Sequence, residues 1–170
     1  KRWLEPCIGQ PVRGIEIGVY EGRSTRWLFE NVLTHPDAEL ICIDPFAPFD
    51  GLDGDYRKRF RTNTGKWHDQ IFLFINISAN VLQECSEAES IDFIIVDGSH
   101  RAADVLFDAV VGWNLLKRGG VMIFDDYAWT GQGHAHCTEQ DKPRMALDAF
   151  LEIYQPEVLH QEYQLIVRKP

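Results

Sequence analysis

The chain has 170 residues, with 17 Lys or Arg against 26 Asp or Glu, and its formal net charge is −9. This length predicts a single domain over residues 1–170, and a 45% apolar content excludes a disordered chain. The acidic balance argues against binding to nucleic acid, and no apolar run approaches the ~20 residues of a membrane span.

Apolar runs and stretches with helical spacing alternate along the chain. The predicted strands are residues 14–18, 40–43, 71–75, 91–96, 121–124, 158–160 and 163–167. The predicted helices are residues 22–33, 78–85, 101–116 and 144–154. Ser24 is predicted to cap the first helix, and Gly119-Gly120 to end the third and open the next strand. Pro45 to Gln70 is predicted to be irregular.

Strands that alternate with helices indicate βαβ units. We therefore expect an α/β fold with a mostly parallel sheet, helices on both faces and a closing pair of strands. Ligands of such sheets bind at the carboxyl ends of the strands, and mostly polar residues follow each of the first five predicted strands there. These residues are Gly18, Glu21, Gly22, Arg23 and Ser24 after the first strand, Asp44, then Ser78 and Asn80, then Asp97 to His100, and Asp125 to Tyr127.

The turn after the first strand is suited to a nucleoside. A dinucleotide-binding turn needs glycine at three positions, but counting from Gly18 the other two hold Tyr20 and Arg23, which disfavours NAD. Asp44 ends the second strand, where a carboxylate can bind ribose hydroxyls. The alternative is that the glycines only shape a tight turn and that Asp44 caps a loop.

Three carboxylates and a histidine follow two strands predicted to be neighbours. Asp97, Asp125 and Asp126 would repel one another without a cation, and oxygen ligands favour Mg²⁺ or another hard divalent ion. Strand alternation separates the last two unless the backbone turns there. His100 could remove a proton as general base. The alternatives are that one of the two adjacent aspartates caps a turn and that His100 caps a helix or is exposed to solvent.

Four further features allow two interpretations each. Trp67 and Trp129 are each predicted either to wall a substrate pocket or to pack locally. Residues 134–137 (HAHC) resemble soft-metal ligands, but a flexible loop is favoured because no second ligand pair is present. Residues 50–55 (DGLDGD) are predicted to be a solvated acidic turn rather than a calcium loop.

Three segments together resemble the class I S-adenosylmethionine-dependent methyltransferases. They are Glu16 to Ser24 (EIGVYEGRS), Ile91 to His100 (IDFIIVDGSH) and Gly119 to Tyr127 (GGVMIFDDY). The most similar members are the metal-dependent macrocin-type sugar O-methyltransferases and, more distantly, catechol O-methyltransferase. The resemblance implies a Rossmann-like fold of about seven strands and transfer of a methyl group to a hydroxyl of a small molecule, such as a sugar or natural product.

The resemblance also implies roles for individual residues. Glu16, Gly18 and Ser24 would surround the methionine moiety of S-adenosylmethionine, and the turn residues Glu21 and Gly22 belong to the same cofactor site. Asp44 would hold the ribose, Ser78 would approach the adenine, and Asp97 would border the cofactor. Asp97, Asp125 and Asp126 match metal ligands, and His100 matches the base of the macrocin-type enzymes, where the catechol enzymes carry a lysine.

Two rival functions stay open from the sequence alone. One is a metal-independent methyltransferase that acts on an amine or thiol, and the other is a non-catalytic nucleoside-binding module of the same fold. The four cysteines are widely spaced, without a CxxC pair, and no signal peptide is visible, so we expect reduced thiols in a cytoplasmic protein. The expected partner is a small-molecule acceptor rather than nucleic acid or a membrane, and a homo-oligomer is left open.

Overall fold

The computed structural model describes residues 1–47, 55–131 and 137–170. Its strands are β1 (Arg13–Ile17), β2 (Glu39–Ile43), β3 (Ile71–Phe74), β4 (Ile91–Val96), β5 (Leu116–Phe124), β6 (Glu157–Gln161) and β7 (Leu165–Arg168). Its helices are α1 (Arg23–Asn31), α2 (Tyr56–Thr64), α3 (Ser78–Glu84), α4 (Ala102–Leu115) and α5 (Pro143–Tyr154). Short 3-10 helices span Arg2–Cys7, Gly65–Trp67 and Glu139–Asp141.

The seven strands form one sheet in the order β3-β2-β1-β4-β5-β7-β6. The first five strands in this order are parallel to one another, and β7 pairs antiparallel with both β5 and β6. Two buried apolar clusters form the core, one with α4 and α5 and the other with α1 and α2. The predicted Rossmann-like fold with helices on both faces is confirmed. No helix in the described ranges is long and apolar enough to cross a membrane.

The start of α1 differs from the prediction. Gly22, not Ser24, is the N-cap, and its φ of 80° lies in the left-handed region. A Cβ at Gly22 would approach Thr64 and Phe60 within 3 Å, so glycine meets both a conformational and a steric requirement there. Ser24 consequently lies inside the first helical turn. The helix also ends at Asn31, earlier than the predicted Leu33.

The segment predicted to be irregular contains α2. Tyr56, Phe60 and Thr64 recur at a spacing of four and are buried, and the Asp55 side chain accepts a hydrogen bond from Lys58 N at the helix start. An amphipathic stripe and a cap were therefore both present in the sequence. The prediction of a wholly irregular stretch was wrong because these three residues are isolated among charged ones.

The junction of α4 and β5 is tighter than predicted. The helix ends at Leu115 and the strand begins at Leu116, so the two glycines lie within β5. Lys169 Nζ donates to the carbonyl oxygens of Trp113 and Leu116 at 2.9 and 2.7 Å, which satisfies the end of the helix without a glycine cap. Tyr163, predicted in a strand, lies in the turn between β6 and β7.

Candidate active site

The turn after β1 has left-handed backbone conformation at three residues, Gly18, Tyr20 and Gly22, with φ of 84°, 47° and 80°. A Cβ at Gly18 would collide with the carbonyl group of Asp97 and would lie 2.7 Å from Gly98 Cα. The ends of β1 and β4 therefore meet at a contact that only glycine permits. This contact joins the predicted cofactor turn to the predicted acidic cluster.

Glu16 is a buried acid in the middle of the sheet. Its side chain is 1% exposed, Oε2 accepts a hydrogen bond from Thr25 Oγ1 at 2.6 Å, and Oε1 has no partner among the described residues. Burial raises the pKa of Glu16 to about 7, although the hydrogen bond from Thr25 acts in the opposite direction. An unpaired buried carboxylate oxygen beside the glycine turn fits a cationic ligand.

Asp44 follows β2 and accepts hydrogen bonds from the backbone of the turn after β1. Its Oδ2 accepts from Val19 N at 3.0 Å and from Tyr20 N at 2.8 Å, while Oδ1 accepts from Phe46 N at 2.6 Å. These bonds match the alternative of a capping carboxylate. A carboxylate has about four lone-pair positions, so one is left for a ribose hydroxyl. Ribose binding by Asp44 stays a prediction.

Helix α2 lies against the same turn, a contact that sequence reasoning missed. Arg59 Nε lies 2.7 Å from Glu21 Oε1, and Asn63 Nδ2 donates to the Glu21 carbonyl oxygen at 2.7 Å. The rings of Tyr20 and Tyr56 lie 4.7 Å apart. Glu21 is thereby tied to α2, and its predicted contact with the cofactor stays a prediction. Opposite charges on Glu21 and Arg59 were visible, but their 38-residue separation gave no signal of pairing.

Ser78 is the first residue of α3, directly beyond the end of β3. Its side chain hydrogen-bonds Asp108 of α4, which is 1% exposed. Burial raises the pKa of Asp108 to about 6, although the bond from Ser78 acts against this. Ser78 therefore lies at the expected sheet edge, and its approach to an adenine stays a prediction.

The structure brings the three predicted metal ligands together. One carboxylate oxygen from each of Asp97, Asp125 and Asp126 lies within 4.8 Å of the other two. The strand β5 ends at Phe124, and the chain then turns, so the two adjacent aspartates can face one point. Desolvation, followed by the charges of Asp125 and Asp126, raises the pKa of Asp97 to about 7. This donor set fits a hard divalent cation.

His100 joins the acidic cluster. Its Nε2 lies 2.9 Å from Asp126 Oδ2, and its ring stacks on Trp129 with centroids 4.4 Å apart. The hydrogen bond raises the pKa of His100 and lowers that of Asp126. Trp129 is thus a residue of the site. Trp67 instead stacks on Phe29 at 5.4 Å, which matches local packing.

The turn between β6 and β7 supplies donors that sequence reasoning missed. Tyr163 Oη donates to Asp126 Oδ1 at 3.0 Å, and Gln164 Nε2 donates to Asp125 Oδ1. Tyrosine and glutamine in a hairpin carry no distinctive pattern, so only the topology reveals these bonds. The proposed loop at residues 134–137 and the acidic turn at 50–55 lie outside the described residues, apart from Cys137 and Asp55.

A model of the family described as "Methyltransferase domain" matches residues 15–127. No curated protein matches significantly. Many solved structures share the fold. An O-methyltransferase from Bacillus cereus in complex with S-adenosylhomocysteine has 17% identity and a TM-score of 0.66, over 92% of this chain and 74% of that one.

Two further solved structures share the fold, and one of them is named as an N-methyltransferase. MycE of the mycinamycin biosynthetic pathway, in complex with Mg and S-adenosylhomocysteine, has 20% identity and a TM-score of 0.65, over 99% of this chain and 47% of that one. A 1,6-didemethyltoxoflavin-N1-methyltransferase from Burkholderia thailandensis has 13% identity and a TM-score of 0.65, over 98% and 78%.

These likenesses confirm the fold of S-adenosylmethionine-dependent methyltransferases, and the prediction of a methyltransferase enzyme is confirmed with it. They do not decide the acceptor, because the named proteins methylate different atoms. The family model covers more than half of the sequence, including the glycine turn and all three clustered aspartates. The chain therefore belongs to the methyltransferase-domain family.

Proposed function

We propose that this chain is a metal-dependent O-methyltransferase that moves the methyl group of S-adenosylmethionine to a hydroxyl of a small molecule. The observation that carries the proposal is the meeting of Asp97, Asp125 and Asp126 with His100 at the cofactor edge of the sheet. A methyltransferase with an amine or thiol acceptor has no comparable need for three carboxylates around one point. The Mg present with MycE, which has the same fold, supports this choice.

The cofactor would lie across the ends of β1 and β2. Glu16 offers its unpaired Oε1 to the positively charged methionine moiety, and the bare backbone at Gly18 allows close approach. Asp44 keeps the turn in place and faces the ribose with its remaining lone pair. Ser24 and Ser78 flank the two ends of this path. The pyrophosphate of NAD needs glycine at two further positions of the turn, which here hold Tyr20 and Arg23, so NAD is not the proposed ligand.

When bound, S-adenosylmethionine supplies an electrophilic methyl group, and a divalent ion lowers the pKa of the acceptor hydroxyl. Asp97, Asp125 and Asp126 would hold that ion. His100 takes the hydroxyl proton: with Nε2 on Asp126, Nδ1 has no hydrogen bond among the described residues and is the nitrogen that accepts it. Trp129 stacks on the imidazole and thereby holds the plane of the ring that would receive the proton.

A metal-independent reaction on nitrogen is the second candidate. The N1-methyltransferase that shares the fold shows that this architecture serves nitrogen acceptors. Under that alternative, the hydrogen bonds of Asp125 and Asp126 would be structural, and chelators would leave the rate unchanged. The two candidates therefore differ in one measurable property, the dependence of turnover on a divalent ion.

Calorimetry with S-adenosylhomocysteine, with and without Mg²⁺, tests both parts of the proposal. We expect saturable binding of S-adenosylhomocysteine, none of NAD, and a separate Mg²⁺ binding signal that is lost in Asp125→Asn. Excess EDTA should abolish methyl transfer to a hydroxyl acceptor and leave the far-UV spectrum unchanged, because the cofactor turn is on other strand ends. Full transfer in EDTA would reject metal dependence, and absence of S-adenosylhomocysteine binding would reject the cofactor.

A further inference from the structure

The turn between β6 and β7 lies beside the C-terminal end of β5 and contacts the acidic cluster there. We propose that Gln164 and Tyr163 of this turn are positioning residues that hold Asp125 and Asp126 in the orientation that binds the divalent ion. The inference rests on the proposed function, and it assigns a metal-binding role to a hairpin that lies beyond the family match at residues 15–127.

Each residue of the turn holds one aspartate. Gln164 Nε2 donates to Asp125 Oδ1, and Tyr163 Oη donates to Asp126 Oδ1 at 3.0 Å. One oxygen of Asp125 is left without a bond from the hairpin, and the second oxygen of Asp126 faces His100. The two donors therefore fix the carboxylate planes and leave lone pairs for an ion.

Neutral donors suit this task for an electrostatic reason. Asp125 and Asp126 are adjacent in a turn and lie near Asp97, so their charges repel one another and favour splayed side chains. A Lys or Arg at the hairpin would hold them but would also compete with the ion for their charge. An amide and a phenol hold the oxygens while the full negative charge stays available.

The hairpin is itself anchored away from the acids. Gln161 Nε2 donates to Tyr127 Oη at 2.8 Å, and Tyr127 Oη donates to Asp148 of α5 at 2.7 Å. The Ala128 amide donates to the Tyr163 carbonyl oxygen at 3.0 Å. These bonds attach the hairpin to the turn after β5 without touching a proposed ligand. Gln161 is accordingly a matched control: the same residue type in the same hairpin, bonded to a phenol instead of an acid.

The test measures ion binding directly. Mn²⁺ is titrated into the full chain and followed by electron paramagnetic resonance, with Mg²⁺ calorimetry alongside, for wild type, Gln164→Leu, Tyr163→Phe and Gln161→Leu. Outer contacts to metal ligands are worth about 10–100-fold in affinity, so we expect a loss of that size in Gln164→Leu and a smaller loss in Tyr163→Phe. Gln161→Leu should bind Mn²⁺ within about twofold of wild type.

Two further readouts separate positioning from general damage. The affinity for S-adenosylhomocysteine should be the same in all four proteins, and kcat of Gln164→Leu should recover at saturating Mg²⁺ because only ion affinity is impaired. Unchanged Mn²⁺ affinity in both Gln164→Leu and Tyr163→Phe, or an equal loss in Gln161→Leu, would overturn the inference and leave the proposed function intact. A wild-type chain that binds no Mn²⁺ would overturn both. If Gln164→Leu fails to fold, the Mn²⁺ affinity of Tyr163→Phe decides the test, because that change removes only the hydroxyl of a half-exposed side chain.

Discussion

Replacement of Glu16 by glutamine should change the pH dependence of stability. The carboxyl has a pKa of about 7 in the folded chain against an ordinary value of 4.5. Since the folded state holds this proton more tightly, stability falls as the pH rises from 4.5 to about 7 and then levels off. At 1.36 kcal/mol for each pKa unit, the ionised Glu16 costs the fold about 3 kcal/mol above neutral pH.

Glu16→Gln removes that ionisation and keeps the shape of the side chain. Its amide oxygen can still accept from Thr25, and its amide nitrogen occupies the position of the unpaired Oε1. The variant should match wild type near pH 4.5 and exceed it by up to ~3 kcal/mol above pH 7. It should also bind S-adenosylmethionine less tightly, because the charge that faces the methionine moiety is gone. A gain in stability with a loss in binding is expected where a strained group serves a ligand.

Urea denaturation at a series of pH values measures this difference. Other groups titrate in the same window, so the relevant quantity is the free energy of unfolding of the variant minus that of wild type. Glu152→Gln is the control, because Glu152 is exposed on α5 and its replacement should change stability by less than about 0.5 kcal/mol at every pH. A difference for Glu16→Gln that stays constant from pH 4.5 to about pH 8 would refute the reasoning.

Four more substitutions are informative, three in the site and one, at Gly119 of β5, as a reference for backbone strain. Asp44→Ala should weaken S-adenosylmethionine binding by ~1.5–3 kcal/mol, as loss of charge-assisted hydrogen bonds does, and calorimetry that finds unchanged affinity would count against ribose binding. His100→Ala should lower kcat by ~10²–10⁴ with little change in cofactor affinity, and added imidazole should restore part of the rate; a wild-type kcat would make His100 a capping residue. Gly119→Ala, at φ 78° with open space, should cost ~1–2 kcal/mol of stability for left-handed strain alone. Gly18→Ala should cost ~1–3 kcal/mol more because its Cβ meets Asp97, and equal melting temperatures for the two variants would contradict that contact.

The sheet and the clustered acids were predictable because their signals are local. Buried strands are short apolar runs, and parallel topology brings the residues after Val96 and Phe124 to one edge of the sheet. The alternation of strands and helices predicts a mostly parallel sheet, whereas the full order of the strands comes from the structure. The turn that brings Asp125 and Asp126 to one point was required by the metal hypothesis, and the structure contains it.

The features that were missed depend on distant partners. Helix α2 has a buried stripe of only three residues, one of them a threonine, and the other six residues are charged or polar, so its helical period is weak. The hydrogen bond from Tyr20 N to Asp44 depends on the left-handed backbone at Tyr20. A residue other than glycine gives no sign of that conformation in the sequence. Gln164 lies 39 residues from the aspartate that it contacts, and only the antiparallel return of β7 beside β5 joins them.

Four of the acids in and beside the sheet share one electrostatic property. They accept hydrogen bonds from neutral donors: a threonine hydroxyl on Glu16, backbone amides on Asp44, and an amide and a phenol on Asp125 and Asp126, of which Asp126 also bonds His100. Such donors fix geometry without cancelling charge, so the edge keeps a negative potential directed at its ligands. A cationic sulfonium and a divalent ion are the ligands that this potential favours. Transfer of the methyl group removes the sulfonium charge, so the negative potential attracts the product less than the cofactor, and this favours release of the product. Since salt screens charge interactions, the affinity for S-adenosylmethionine should fall with ionic strength more steeply than the affinity for S-adenosylhomocysteine.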